Sequence, residues 1–141
     1  MKIRMEHANL TVQHFDAAVR FLTAAFPDFQ VRSEGKKGQY RWMHIGTDDT
    51  YIALSETAQR DNDLKSPYDT NPGVNHLGYE VDDVEALRQR LAAAGFRDST
   101  YPNSHPYRKR VYFYDEDGND WEFVQYLTDD AALRNDYELP D

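Results

Sequence analysis

"GVNHLGYEVDDVEALRQRLAAAG", Gly73 to Gly95, is the stretch on which the fold turns. Leu77, Tyr79 and Val81 alternate to give one apolar face of a strand, and His76 points to the other face. Asp83 suits a helix start. Val84, Leu87, Leu91 and Ala94 then follow helical spacing until Gly95 supplies a stop. A strand, a turn and an amphipathic helix are therefore written in succession, with a histidine at the head of the strand.

The same order recurs when the chain is slid along itself by 69 positions, the difference between His76 and His7. Val12 then faces Val81, Asp16 faces Glu85, Leu22 faces Leu91 and Ala25 faces Ala94. At the same offset Arg41 meets Arg110, and Ile52-Ala53-Leu54 meets Trp121-Glu122-Phe123. The matching order of elements, more than the identities, indicates an internal duplication. His7 to Val12 repeats the strand pattern, with Ala8, Leu10 and Val12 apolar, and Asp16 is placed to start the first helix.

Extended runs follow each helix: Phe29 to Ser33, Gln39 to Ile45 and Thr50 to Ser55, then Arg97 to Tyr101, Lys109 to Tyr114 and Asp120 to Tyr126. Turn-forming stretches separate them: "EGKKG" before Gln39, "GTDD" before Thr50 and "DEDGN" before Asp120. Two tandem βαβββ modules, about 1–56 and about 74–126, are expected within one domain, joined by a polar connector over 57–73. The acidic tail, 127–141, has room for one short helix.

A length of 141 residues suits one compact domain, and a net charge of −9 disfavours a nucleic-acid or anionic-membrane surface. No apolar run approaches the roughly 20 residues of a membrane span. Met1-Lys2-Ile3-Arg4 leads into a strand pattern without a secretory apolar region, so a cytoplasmic location is expected. With no cysteine, disulfides and thiolate chemistry are excluded, and any metal must be held by imidazole and oxygen.

The duplicated βαβββ pattern, the histidine opening each half and "YFYDEDGNDWEFVQY" (Tyr112 to Tyr126) together resemble the vicinal oxygen chelate superfamily. That superfamily includes glyoxalase I, fosfomycin-resistance thiol transferases, extradiol dioxygenases and bleomycin-binding proteins. Its typical ending is an Asp-Pro-Asp-Gly-Asn turn before a strand bearing glutamate. Here Glu116 stands in place of the proline, while Asp115, Asp117, Gly118, Asn119 and Glu122 fit. The resemblance implies an α+β fold in which the modules form a curved eight-stranded sheet around a metal and substrate cavity.

It also implies metal ligands on the first and last strand of each module. His7, His76 and Glu122 match three of these positions, and Ala53 stands at the fourth. Glu56, three residues past Ala53, is a candidate for the missing ligand, although strand alternation turns it to the other face unless a bulge or strand end intervenes. Two imidazoles and a carboxylate make an open shell for a divalent ion such as Fe, Mn, Ni or Zn. Arg110 and Tyr112 alternate onto one face, which the resemblance makes the cavity face. There Arg110 would clamp a carboxylate or phosphonate and Tyr112 would donate its hydroxyl. Tyr51 shares the face of Ala53, and Glu80 is a candidate proton acceptor.

Other prominent residues are expected to be structural. His105, in the Pro-rich loop "YPNSHPYRKR", is read as solvated, and His14 and His44 as non-ligands, with His44 turned away from the inner face. Trp42, Trp121 and Phe123 are read as core between sheet and helix.

The function expected is that of a metal-dependent, glyoxalase-related enzyme acting on a small substrate with vicinal oxygens, by lyase, isomerase or thiol-transferase chemistry. Glu122 and Tyr112 would be catalytic; Arg110, Tyr112 and Tyr51 would bind substrate. One alternative is metal-free drug sequestration of the bleomycin-resistance type, for which the 13% aromatic content and acidic charge are suited. Another is extradiol-type dioxygenation. A homodimer is expected by the same resemblance.

Overall fold

The computed structural model describes residues 1, 3–57, 67–68 and 72–141. Most of the expected connector, 58–66 and 69–71, lies outside the described residues. The chain divides into two compact units, Met1–Leu64 and Lys65–Asp141.

In the first unit, β1 (His7–Val12) leads to α1 (Phe15–Ala25), then β2 (Gln30–Lys37), β3 (Tyr40–Gly46) and β4 (Tyr51–Glu56). The sheet order is β1-β4-β3-β2, with β1 and β4 parallel and the others antiparallel. In the second unit, β5 (His76–Glu80), α2 (Val84–Ala93), β6 (Arg97–Asp98), β7 (Arg108–Tyr114) and β8 (Asp120–Tyr126) repeat that plan in the order β5-β8-β7-β6. A short α3 (Ala131–Arg134) lies in the tail. The eight expected strands thus form two four-stranded sheets, one in each βαβββ module. No helix among the described residues is long and apolar enough to cross a membrane.

Alternation divides each sheet into two faces. In the first, Ile45, Ile52 and Leu54 are almost fully buried, and α1 buries Phe15, Phe21, Leu22 and Ala25. In the second, Val111, Phe113, Trp121 and Phe123 are buried along with Val84, Leu87 and Leu91 of α2. Each such side chain is worth about 1.5–3 kcal/mol of transfer free energy, which fixes strand register, since a one-residue slip would expose the whole set. The opposite faces carry His7 and Tyr51 in one unit and His76, Tyr112 and Glu122 in the other; these are called the inner faces below.

The helix ends follow local chemistry. Asp83 caps α2 by accepting from the Ala86 amide at 3.0 Å, and Gly95 adopts φ 86° beyond its end. At α1 the N-cap is His14, not Asp16, and its side chain makes no capping bond. The β2–β3 hairpin is longer than expected: β2 runs on through Glu34 to Lys37 and turns at Gly38, φ 64°. That exposed polar strand carries no apolar alternation from which its extent could be read. β6 is shorter than expected, ending at Asp98.

One difference between the halves matters for the site. Four residues, 47–50, join β3 to β4, whereas five, 115–119, join β7 to β8. His44 therefore pairs with Ala53 in the first sheet, while Tyr112 pairs with Glu122 in the second. The repeat offset falls from 69 on β1 and β4 to 68 on β3, the difference between Tyr112 and His44. A one-residue slip exchanges faces. Arg41 and Arg110, matched by the sequence offset, consequently lie on opposite faces of their sheets. His44 shares the inner face with Tyr51, and Trp42, two residues away, is half-buried beside it instead of lying in the core. Trp121 and Phe123 are core, as expected.

Candidate functional site

On the second sheet, parallel pairing sets His76 opposite Asp120 and Gly78 opposite Glu122. His76 Nε2 lies 2.9 Å from Glu122 Oε2. The other ring nitrogen, Nδ1, is 2.7 Å from Asn75 Oδ1. The amide cannot be read the other way round, because Asn75 Nδ2 donates to the Pro67 carbonyl at 3.0 Å. Nδ1 therefore carries a hydrogen, and in the neutral form of the ring it is the Nε2 lone pair that faces the carboxylate. Two lone pairs at that separation repel unless a proton or a metal cation lies between them. An imidazole anchored through its far nitrogen beside a carboxylate is the donor chemistry of a divalent-metal site. Across β5 a Cβ added at Gly78 would lie 4.0 Å from Glu122 Oε2, an ordinary contact, so Gly78 is the neighbour of the carboxylate without being required by it.

His7 has the same anchoring in the first unit: its Nδ1 lies 2.7 Å from Glu6 Oε2, and Glu6 precedes it as Asn75 precedes His76. A carboxylate only accepts, so Nδ1 carries a hydrogen, and in the neutral form of the ring Nε2 presents the lone pair. The ring stacks on Tyr51 with centroids 4.8 Å apart and planes at 15°. The Arg32 guanidinium lies 4.4 Å from the Tyr51 ring centre, and His44 lies 4.7 Å from it. Among the described residues no group of three or more His, Asp or Glu side chains is close enough together to hold an ion. The second unit by itself brings together two of the three expected donors, His76 and Glu122, whose imidazole and carboxylate chemistry suits a divalent ion.

Glu56 lies on the helix face of the first sheet. Its Oε1 accepts from the Phe15 amide at 3.3 Å and its Oε2 pairs with Arg41 at 3.4 Å. Ala53 faces inward with only a methyl group.

Tyr112 and Arg110 flank Glu122 on the inner face, as alternation predicts. The Tyr112 hydroxyl is 3.2 Å from that of Tyr101, and its ring meets the His76 ring edge-on at 6.1 Å. Burial, the hydrogen bond with Tyr101 and the charge of Glu122 hold the Tyr112 phenol well above its ordinary pKa, against the opposing pull of Arg110. It is therefore a neutral hydrogen-bond donor at working pH. Arg110 Nη1 lies 3.9 Å from Glu122 Oε1, and Nη2 lies 2.5 Å from Asp141 Oδ1. Glu80 is exposed and pairs with Arg134 at 3.0 Å, which draws it into the tail.

Sequence reasoning missed several inner-face groups. His44 was hidden by the change of offset, which comparing loop lengths before pairing the halves would have uncovered. His105 is buried, contrary to the expected solvation: Nδ1 accepts from the Tyr107 amide at 3.1 Å, and Nε2 donates to the Asp136 carbonyl at 2.8 Å. Asp120 is buried on the inner face, accepting from Ser99 at 2.7 Å and from the Tyr68 hydroxyl. Its alternation with Glu122 was the available signal. Arg108, 6% exposed, shares the Arg110 face by the same rule.

Solved structures share this architecture. The glyoxylase/bleomycin resistance protein/dioxygenase domain from Frankia sp. EAN1pec is 25% identical, with a TM-score of 0.73 over 89% of this chain and 99% of that one. A glyoxalase family protein from Bacillus cereus, 15% identical, gives 0.74 over 91% and 97%. The fosfomycin resistance protein FosX from Listeria monocytogenes, complexed with Mn(II) and sulfate ion, is 16% identical and gives 0.62 over 89% and 93%. No protein with curated function matches significantly. The sequence profile of the Glyoxalase/Bleomycin resistance protein/Dioxygenase superfamily matches residues 4–123, and the chain belongs to that superfamily.

Proposed function

We propose that this chain is a divalent-metal-dependent enzyme acting on a small substrate with adjacent oxygens, by lyase, isomerase or transferase chemistry. In this reading His7, His76 and Glu122 hold the ion. The observation that carries it is the 2.9 Å approach of His76 Nε2 to Glu122 Oε2 while Nδ1 is committed to Asn75. The matching commitment of His7 Nδ1 to Glu6 supports it. When bound, a divalent ion supplies Lewis-acid polarisation of substrate oxygens. Tyr112, held neutral, donates its O–H to an oxygen gaining negative charge, and Arg110 orients an anionic substituent. Tyr51, stacked under His7, fixes that ring's plane.

Because a fold relative is described in complex with Mn(II), that ion is the first to try. Titrating Mn(II) into metal-stripped full-length protein should show one site per chain, lost in His76→Ala and Glu122→Ala and weakened in His7→Ala. Absence of binding by Mn(II), Fe(II), Ni(II) and Zn(II) alike would defeat the proposal and favour metal-free ligand sequestration. With an ion bound, thiol addition to an epoxide, hemithioacetal turnover and oxygen uptake with catechols separate the candidate reactions.

A further inference from the structure

The tail folds over the inner face of the second sheet and ends its path at Arg108, which is buried, and Arg110, which is partly buried. Arg134 of α3 pairs with Glu80 at 3.0 Å and lies 3.7 Å from the Tyr126 ring centre. His105 holds the Asp136 carbonyl, and the Arg108 guanidinium sits 4.9 Å from the Tyr137 ring centre. The chain then brings the Asp141 side chain to Arg110 at 2.5 Å and Arg108 at 3.5 Å.

The fit between this carboxylate and its receptor is poor. Arg108 and Arg110 side chains are 6% and 12% exposed, and the carboxylate is 43% exposed. One oxygen, Oδ1, makes both contacts. The Nε atoms of both arginines are buried without a hydrogen-bond partner among the described residues. The Nη2 of Arg110, although close to Asp141, makes no aligned hydrogen bond. Among the described residues Arg108 otherwise donates only to the Arg134 carbonyl, at 3.4 Å, and Arg110 shares Glu122 with His76. Buried guanidiniums normally saturate their planar forks with paired acceptors. Here two adjacent forks on one sheet face share one half-exposed carboxylate, and three of their nitrogens find no hydrogen-bond partner among the described residues.

We propose that Arg108 and Arg110 form an oxyanion site on the face that bears Glu122, and that Asp141 is its displaceable resident, making the tail an internal competitor. A small molecule carrying a compact oxyanion enters by exchanging with the Asp141 carboxylate, and its further oxygens reach the donors that the tail leaves unmet. Apparent affinity is then reduced by the fraction of molecules whose tail is seated. The placement of this anion beside a reacting centre rests on the metal-enzyme reading above. The exchange itself requires no metal, so the two can fail separately.

The probe is inorganic phosphate, titrated by calorimetry into metal-stripped full-length protein. Asp141→Asn removes the charge while keeping the chain length, and should tighten phosphate binding by about tenfold. Arg110→Gln in the Asp141→Asn background should abolish the gain, with Arg110→Lys retaining part of it. In the parent protein, saturating phosphate should speed amide exchange across 131–141 and leave β7 and β8 protected, a readout that needs no variant to fold. Equal phosphate affinity in parent and Asp141→Asn, a gain that survives Arg110→Gln, or tail exchange unchanged by phosphate would each overturn the proposal.

Discussion

Glu56 of β4 caps helix α1, accepting the Phe15 amide at 3.3 Å, just as Gln125 of β8 accepts the Val84 amide at 3.3 Å at the head of α2. The two acceptors are 69 residues apart, as are the two amides, so the cap is part of the duplication. The first amide of each helix is satisfied from the neighbouring strand, in addition to the local Asp83 cap at α2 and in place of a local side-chain cap at α1. This explains why α1 tolerates His14 as an N-cap whose side chain makes no capping bond. It also commits Glu56 to the face away from Ala53. Glu56→Ala should lower unfolding stability by about 1–2 kcal/mol in denaturant titration, through loss of the cap and the exposed Arg41 pair. Mn(II) affinity should not change; a drop above tenfold in folded protein would restore Glu56 as a ligand.

Asn75 fixes the tautomer of His76, and its own amide is fixed by Pro67. Asn75→Ala frees the ring to rotate and to move its hydrogen to Nε2, the nitrogen that faces Glu122. Such outer anchors typically contribute 10–100-fold to metal affinity. Asn75→Ala should therefore weaken Mn(II) binding by about tenfold or more, with His76 and Glu122 intact. Asn75→Asp, which supplies an acceptor with negative charge, should recover it. Calorimetric titration decides, and equal affinity in all three proteins would remove Asn75 from the site.

The strand and face of His7, His76 and Glu122 were legible because they sit on β1, β5 and β8, where the 69-residue offset holds and core burial enforces alternation. Reasoning failed where those two constraints lapse. His44 was assigned to the wrong face because the β3–β4 loop is one residue shorter than its counterpart, and the letters alone do not announce a changed offset. His105 and Asp141 belong to segments without periodicity, fixed by contacts over 31 and 31–33 residues: His105 with Asp136, and Asp141 with Arg110 and Arg108. Long-range polar contacts of this kind leave no local pattern. Glu122 needed only its own strand to be placed, whereas its neighbour Arg110 gained a partner that no strand rule could supply.

Tyr112 should act as a neutral donor and not as a phenolate base. Its pKa is raised, by burial foremost, and the proton is present throughout the neutral range. Tyr112→Phe should lower kcat by about 10²-fold, as loss of one charge-stabilising donor does, with little change in Mn(II) affinity. The pH–rate profile of the parent should show no gain between about pH 7 and 9 from Tyr112 ionisation. A basic limb in that range which disappears in Tyr112→Phe would contradict this role.

Asp98 provides a pH-dependent contribution to stability. Burial disfavours its charge, but hydrogen bonds from Thr100 and the Arg88 guanidinium, at 2.8 and 2.7 Å, outweigh it and hold the carboxyl below its ordinary 3.8. The native state therefore releases this proton while the unfolded chain still binds it. The stabilisation is complete above pH 3.8 and is lost as pH falls through the lower native value. Asp98→Asn should cost about 1 kcal/mol at pH 7, a modest figure because the pair is part-exposed, and the gap from the parent should narrow as pH falls below 3.8. A gap independent of pH would refute the assignment.

Asp115 holds the turn that aims Glu122. Its Oδ1 accepts from the Asp117 and Asn119 amides at 3.0 and 2.9 Å, and its Oδ2 accepts from the Asn119 side chain at 2.9 Å and Trp121 Nε1 at 3.0 Å. Gly118, at φ 82°, makes the reversal that lets both strands meet these donors. Trp121 is 1% exposed and stands one residue before Glu122, so the carboxylate that anchors the indole also sets the start of the strand that carries Glu122. Asp115→Ala strips the indole N–H of this acceptor inside the core and loosens the five-residue loop responsible for the inner-face register of β7. Each buried donor left unmet costs about 1–3 kcal/mol, so a loss of about 2–4 kcal/mol in stability is expected. At a temperature where the variant remains folded, Mn(II) affinity should fall together with Trp121 fluorescence anisotropy. Unchanged anisotropy with full metal affinity would show that β8 keeps its register without this turn.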